Sequence, residues 1–325
     1  MGERILVTGG AGYIGSHACK ALARQGHEPV TLDSLIHGHE DAVKWGPLVK
    51  ADILDRDALD RCFREYRPDA VMHFAAFAYV GESVREPAKY YRNNVAGSLN
   101  LLEAMREHDC GRIIFSSTCS VYGSPNRLPL DETHEVAPIN PYGASKLMIE
   151  RIMSDFGAAY GLESVALRYF NAAGADPDGE LGERHDPETH LIPLALGAAM
   201  DPARELTVFG TNHDTPDGTC VRDYVHVTDL AEAHALALDL LRREGGNHAL
   251  NLGCGNGYSV LEVIETAGRV AGKPVAWKAG PVREGDPSKL VADAALATRR
   301  LGWKPRYQNL ELMIRHAGDW MRNHD

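Results

Sequence analysis

The 325-residue chain holds no apolar run approaching the length that crosses a bilayer, which argues against a helical membrane protein. Its six cysteines, Cys19, Cys62, Cys110, Cys119, Cys220 and Cys254, form no C-x-x-C pair. Neither a zinc ribbon nor a disulfide framework is therefore expected, and reduced cytosolic thiols fit better. Positive charge is scarce: 34 Lys+Arg against 45 Asp+Glu leave a net charge of −11. A general nucleic-acid surface is excluded on that ground, and an anionic ligand would need a local cluster of arginines. There is no short-period repeat or low-complexity tract. The chain opens directly on a strand-like run, so no leader peptide is expected and a cytoplasmic location is. The run His37-Gly38-His39-Glu40 has neither helical spacing nor a partner motif; it reads as a solvated loop, and no metal centre is expected. What remains is 44% hydrophobic and 24% charged, as in an ordinary globular enzyme of one large domain or two fused lobes.

The amino terminus carries a nucleotide signal. Arg4-Ile5-Leu6-Val7-Thr8 reads as a buried strand, Gly9-Gly10-Ala11-Gly12-Tyr13-Ile14-Gly15 as a tight loop, and residues 16–25 as a helix. Glycines in this pattern permit a sharp turn and close approach to a pyrophosphate, which then meets the N–H groups of the helix start. A second strand ends at Asp33, 18 residues past Gly15, where an acid bonds adenosine ribose hydroxyls. No arginine lies in 34–40 to receive a 2′-phosphate, which favours NAD over NADP. Further apolar runs at 69–76, 112–117 and 164–168 alternate with helical patterns at 90–107 and 142–160. Such alternation predicts an α/β fold, a Rossmann-type doubly wound parallel sheet with helices on both faces. Its ligand loops are expected at strand ends: 8–15, 33–38, 74–83 and 116–123. After about residue 170 the alternation fades and Gly and Pro become frequent, which suggests a smaller α/β substrate-binding lobe. The expected division is a nucleotide-binding domain at 1–170, with a return segment near 220–245, and a second lobe at 171–325.

Within 142–160, Tyr142 and Lys146 stand at i and i+4, on one face of a helix that Pro141 suits at its first position. A phenol ordinarily ionises near pH 10. An adjacent ammonium, helped by a positive nicotinamide ring, favours the phenolate, which can accept a proton from a sugar hydroxyl. Tyr-x-x-x-Lys alone is weak; behind a glycine-rich nucleotide loop it gains weight.

These segments, together with His73-Phe74-Ala75-Ala76, Val80-Gly81-Glu82-Ser83-Val84, Tyr90-Tyr91-Arg92-Asn93-Asn94-Val95, Phe115-Ser116-Ser117-Thr118, Leu167-Arg168-Tyr169-Phe170-Asn171 and residues 217–227, resemble the UDP-glucose 4-epimerase family of the extended short-chain dehydrogenase/reductase class over essentially the whole length. The resemblance implies an isomerase that interconverts UDP-glucose and UDP-galactose through a transient 4-keto intermediate on tightly held NAD. Tyr142 would be the acid/base, Lys146 would hold the nicotinamide ribose and tune the tyrosine, and Thr118 would bond the reacting 4-oxygen. Gly9, Gly12, Tyr13, Ile14, Gly15, Asp33, Asp52, Ile53, Phe74, Ala75, Ala76, Asn94, Ser116 and Tyr169 would complete the cofactor site. A lysine that some relatives carry near the pyrophosphate is Ala78 here. UDP would lie against Asn171, His190, Leu191, Phe209, Arg222, Tyr224, Arg283 and Asp286, with the hexose gated by Leu290. A homodimer is implied, built from helices near 90–107 and 143–160; Leu99, Leu102, Ala104, Leu147, Ile149 and Ile152 could form its seam or cover the sheet.

Other readings stay open. A UDP-xylose/UDP-arabinose 4-epimerase shares the run 74–83, and Leu290 is of intermediate size, which leaves UDP-GlcNAc activity open. A 4,6-dehydratase is disfavoured because Cys119-Ser120 stand where that chemistry needs an Asp-Glu pair. A non-enzymatic NAD-sensing protein is disfavoured by the intact Thr118, Tyr142 and Lys146.

Overall fold

The computed structural model describes residues 2–283 and 287–324. Among these residues there are thirteen strands: β1 (Arg4–Thr8), β2 (Glu28–Asp33), β3 (Leu48–Lys50), β4 (Ala70–His73), β5 (Arg112–Ser116), β6 (Glu163–Tyr169), β7 (Asn171–Ala173), β8 (Leu206–Phe209), β9 (Val221–His226), β10 (Asn247–Leu252), β11 (Gly257–Ser259), β12 (Trp277–Gly280) and β13 (Lys289–Leu290). Seven form one sheet in the order β10-β6-β5-β4-β1-β2-β3, and each neighbouring pair in it is parallel. The apolar runs explain this. Ile5, Leu6 and Val7, like Val71, Met72 and Ile114, are wholly shielded from solvent, which requires cover on both faces.

That cover comes from two separate cores. On one face Ala18, Cys19 and Leu22 of the helix Tyr13–Arg24 pack with Leu230, Ala233, Leu238 and Leu241 of the helix Val227–Glu244 over Ile5, Val7 and Met72. On the other, Leu59 and Phe63 of Arg56–Tyr66, Leu101 and Met105 of Gly97–Glu107, and Ile149 and Met153 of Pro141–Tyr160 pack over Leu6, Val71 and Phe115. The strand order reverses between β1 and β4, so the crevice for a ligand opens beyond Thr8 and His73.

The chain leaves this sheet after β6 and comes back through the helix Val227–Glu244 into β10, which pairs along β6 from Asn247 to Leu252. β9 itself lies in the smaller lobe, where it pairs in parallel with β7 and β13 and antiparallel with β11. β8 and β12 make a separate parallel pair. The helices Leu191–Met200, Val260–Ala271 and Leu310–His324 close over this lobe through Leu196, Val263, Met313 and Ile314.

Two differences from expectation stand out. The helix expected at 90–107 is not uniform: a π-helical turn, Tyr91–Ala96, separates Pro87–Tyr90 from Gly97–Glu107. Such wide turns accompany functional sites, and this one places Asn94 fully inside. The six residues considered for a subunit seam also divide. Leu102, Ala104 and Ile149 cover the sheet, Ile152 and Leu147 pack against buried clusters, and Leu99 stays exposed, as do Val80, Val84 and Met148. No helix among the described residues is long and apolar enough to cross a membrane.

Candidate active site

The glycine loop is shaped by contact. Gly9 has φ +73°, and a side chain there would sit 2.6 Å from the Ala75 nitrogen, while a Cβ at Gly15 would meet the Gly9 carbonyl oxygen at 2.1 Å. Neither position admits a larger residue, so the turn lies flat against the end of β4. Gly12 precedes the helix Tyr13–Arg24 without a side-chain cap, which leaves the first-turn N–H groups able to serve a phosphate. The Tyr13 hydroxyl donates to the Gly174 carbonyl at 2.6 Å, binding loop to second lobe, and Ile14 packs on the core. Asp33 ends β2 and accepts from the Ala11 and Leu35 nitrogens at 3.0 and 2.8 Å; burial raises its carboxyl above the usual range. Beyond β3, Asp52 accepts from the Leu54 nitrogen, and Ile53 is buried where Gly97 leaves room for it. Phe74 and Ala75 donate backbone N–H groups to the Thr8 carbonyl, and half-buried Ala76 follows. Asn94 clamps Phe77 through both its backbone groups, at 2.9 and 3.0 Å, and reaches Ser145 at 3.1 Å.

Asn140 caps the next helix by accepting from the Gly143 nitrogen at 2.8 Å, with Pro141 in the first position. This fixes Tyr142 and Lys146 on the inner face, at 8% and 3% exposure. Tyr142 is hydrogen-bonded to Thr118, whose Oγ1 also accepts from the Ser120 nitrogen at 3.1 Å. The Lys146 ammonium donates to the Ser116 carbonyl at 2.8 Å and lies 6.0 Å from the Tyr142 ring centre. The Ser116 hydroxyl meets the Tyr169 hydroxyl at 2.7 Å. Thr118, Tyr142, Lys146, Ser116 and Tyr169 thus converge at the end of β5.

The electrostatics show what the protein's own groups contribute. With the protein's own groups alone, burial pushes the Tyr142 phenol above its ordinary value and pulls Lys146 down to about 7. Burial dominates at both groups, and the protein's own charges do not bring the phenol down. Additional positive charge in the cleft is required to bring the phenol down.

The reading by motif passed over what stands behind this group. Glu150 lies one turn beyond Lys146 on the same stripe and favours its charged form. Glu150 accepts from the Ser117 hydroxyl at 2.5 Å and from Arg168 at 2.6 Å. Arg168 donates onward to the Tyr122 hydroxyl, and Tyr122 to Asn251. The i+4 spacing from Lys146 was the available signal. His234 was also missed: its ring sits 4.7 Å from Phe74 and 6.2 Å from Tyr169, under the groove.

The second lobe presents its residues along β9. Asn171 and Tyr224 are cross-strand partners with bonded side chains. Tyr224 itself is buried in the lobe's core, so its hydroxyl acts through Asn171 rather than on an open face. Arg222 bonds the Val221 carbonyl at 2.8 Å and stands opposite Leu290. Leu290 packs with Cys119 and Phe170, next to Thr118 in sequence. Phe209 ends β8, and the exposed Arg283 guanidinium lies 4.0 Å above its ring, a cation–π pair at a sheet edge. His190, half exposed, precedes the helix Leu191–Met200, contacts Glu183, and is followed by partly buried Leu191. Asp286 lies outside the described residues.

Comparison with known proteins agrees with this geometry. Residues 5–253 match the model of the NAD dependent epimerase/dehydratase family. A UDP-glucose 4-epimerase of Rhizobium meliloti (strain 1021) is 51% identical over 318 residues, 98% of this chain and 97% of the relative. The crystal structure of UDP-glucose 4-epimerase from Brucella ovis in complex with NAD is 53% identical, with a TM-score of 0.94 and 98% of each chain covered. That of Bifidobacterium longum, in complex with NAD+ and UDP, is 38% identical with a TM-score of 0.95, covering 99% of this chain and 98% of its own. With the glycine cradle, the parallel sheet and the buried Tyr–Lys pair already in place, the chain belongs to the NAD dependent epimerase/dehydratase family, among the UDP-glucose 4-epimerases.

Proposed function

We propose that the protein is an isomerase that interconverts UDP-glucose and UDP-galactose at C4 with a retained NAD. The observation that carries this reading is the buried convergence of Thr118, Tyr142 and Lys146 beside a glycine cradle that tolerates no Cβ at Gly9 or Gly15. The cradle fits a dinucleotide pyrophosphate, and Asp33, with no arginine after it through residue 40, fits an unmodified adenosine ribose. When bound, NAD supplies a hydride acceptor and donor for C4, whose C–H is not acidic, so the carbon passes through a ketone without net redox. Tyr142 takes the 4-hydroxyl proton, Thr118 bonds the same oxygen, and Lys146 holds positive charge beneath the phenol. Asn171, Arg222 and Arg283 hold the diphosphate, arginine's planar fork matching phosphate oxygens. Binding energy concentrated on UDP leaves the hexose free to turn and accept hydride on its other face.

The test is incubation of purified protein with UDP-galactose and no added cofactor, with products resolved by NMR. UDP-glucose should accumulate. Conversion that required stoichiometric NAD would indicate a dehydrogenase that releases its cofactor each turnover.

Leu290 sets the hexose pocket's size in this reading. Leu290→Tyr should lower any UDP-GlcNAc turnover by about tenfold or more relative to UDP-glucose, since a tight pocket discriminates small groups by roughly 1–3 kcal/mol. Equal losses on both sugars in side-by-side kcat/KM measurements would mean that Leu290 does not gate size. We also infer a homodimer, for which the exposed apolar residues Val80, Val84, Leu99 and Met148 are candidates, and a reducing, cytoplasmic setting consistent with six cysteines outside any disulfide.

A further inference from the structure

Between β7 and the helix Leu191–Met200, the loop carries Glu183-x-His185-x-x-Glu188-x-His190. The fold gathers these four side chains so that one donor atom from each lies within 4.8 Å of the others. The Nδ1 atoms of His185 and His190 both approach the same Glu183 oxygen, His185 at 3.0 Å. They lie 3.8 and 4.0 Å from Glu188 Oε1. Glu183 is 7% exposed at its side chain, while His185 and Glu188 are 18% and 21% exposed. Glu188 is aimed by the Thr189 and His190 backbone N–H groups, which donate to it at 2.6 and 2.8 Å.

His185 Nδ1 is buried against Glu183 and Glu188. The Tyr79 hydroxyl is buried without a partner among the described residues, with its ring 6.1 Å from that of His185. His190 Nδ1 is hydrogen-bonded to Glu183 Oε1 and His185 Nδ1 faces the same oxygen, so two imidazoles and two carboxylates converge on one place, which has the form of a coordination shell.

We propose that Glu183, His185, Glu188 and His190 form a binding site for a divalent transition cation, zinc by preference. Mixed imidazole and carboxylate donors suit zinc better than magnesium, which takes oxygen ligands. Four protein ligands without an open position mark a structural site rather than a catalytic one. Its place in the fold agrees. His185 packs edge-on against Tyr13 of the nucleotide loop, with ring centres 6.3 Å apart. The neighbouring Arg184 accepts at its carbonyl from His39 at 2.8 Å and pairs through its guanidinium with Asp41. A cation here fastens the second lobe's loop over the amino-terminal turn that receives the nucleotide. The site is distinct from the sequence run at 37–40, and it takes His190 for the cation rather than for UDP.

The experiment is zinc analysis by plasma mass spectrometry on the full-length protein, loaded with zinc and then desalted. A single equivalent per chain is expected, with magnesium not retained. His185→Ala/His190→Ala should lose it. Strong chelation should lower the wild-type melting temperature, and zinc should restore it. Absence of retained zinc in the wild type, or unchanged zinc in the double variant, would overturn the proposal. Should that variant fail to fold, zinc-edge X-ray absorption on the wild type decides. A nitrogen/oxygen shell free of sulfur supports the site, whereas a sulfur-containing shell assigns the metal to thiols and overturns it.

Discussion

Tyr142→Phe should lower turnover by about 10²–10⁴-fold, the range of a lost general acid/base, while leaving the nucleotide in place. The substitution removes one oxygen from a ring that is 8% exposed and already packed. Thr118 keeps its bond from the Ser120 nitrogen, and Lys146 keeps its carbonyl partner on Ser116, so the surrounding geometry has no cause to move. Steady-state rates on UDP-galactose, read with the bound-nucleotide absorbance of the same sample, check this. Activity within about threefold of wild type would remove Tyr142 from the proton path, since that is far below a general-base contribution. A loss of rate accompanied by loss of nucleotide would reassign it to binding.

The second large effect concerns a residue that the motif does not contain. Glu150 and Arg168 face each other with side chains only 10% and 9% exposed. Glu150→Gln strands the guanidinium in the interior, and breaking a buried pair from one side costs about 3–5 kcal/mol. Chemical denaturation of the variant should register most of that. It should also alter pH dependence. Glu150 favours the charged form of Lys146, which burial already holds down near 7. Without the carboxylate that value falls further, so the ammonium is lost at lower pH and the alkaline limb of kcat/KM moves toward acid. The other groups about Lys146 do not compensate: His73 is held neutral, its own value lowered to about 3 by burial, and Phe115 offers only a ring face at 4.9 Å. A destabilised variant with an unmoved alkaline limb would leave Glu150 a purely structural role.

The difference between these two residues reflects what a linear sequence records. Tyr142 and Lys146 were legible because their chemistry is local: one helical turn separates them, and Asn140-Pro141 announces the helix start. The strands were legible because burial on both faces forces uninterrupted apolar runs such as Ile113-Ile114-Phe115. The Glu150–Arg168 pair spans 18 residues and depends on the helix Pro141–Tyr160 lying over β6, which no short window reports. The π-helical turn is similarly set from afar, since Asn94 spends its amide on Phe77 and Ser145. The cluster at 183–190 went unread because its spacing fits neither a helix face nor a zinc-ribbon pattern; only a folded loop brings its side chains together.

The position of β10 bears on biosynthesis. The large sheet's edge against β6 is filled by residues 247–252, and the helix that covers one face begins at Val227. Both emerge from the ribosome only after the whole of β7 to β9 has been made. Until then β6 presents an open row of backbone donors and acceptors, the kind of edge that recruits foreign strands. The nucleotide lobe therefore cannot close vectorially as it is translated, and a fragment cut at residue 170 would carry a permanent unpaired edge rather than a self-sufficient domain.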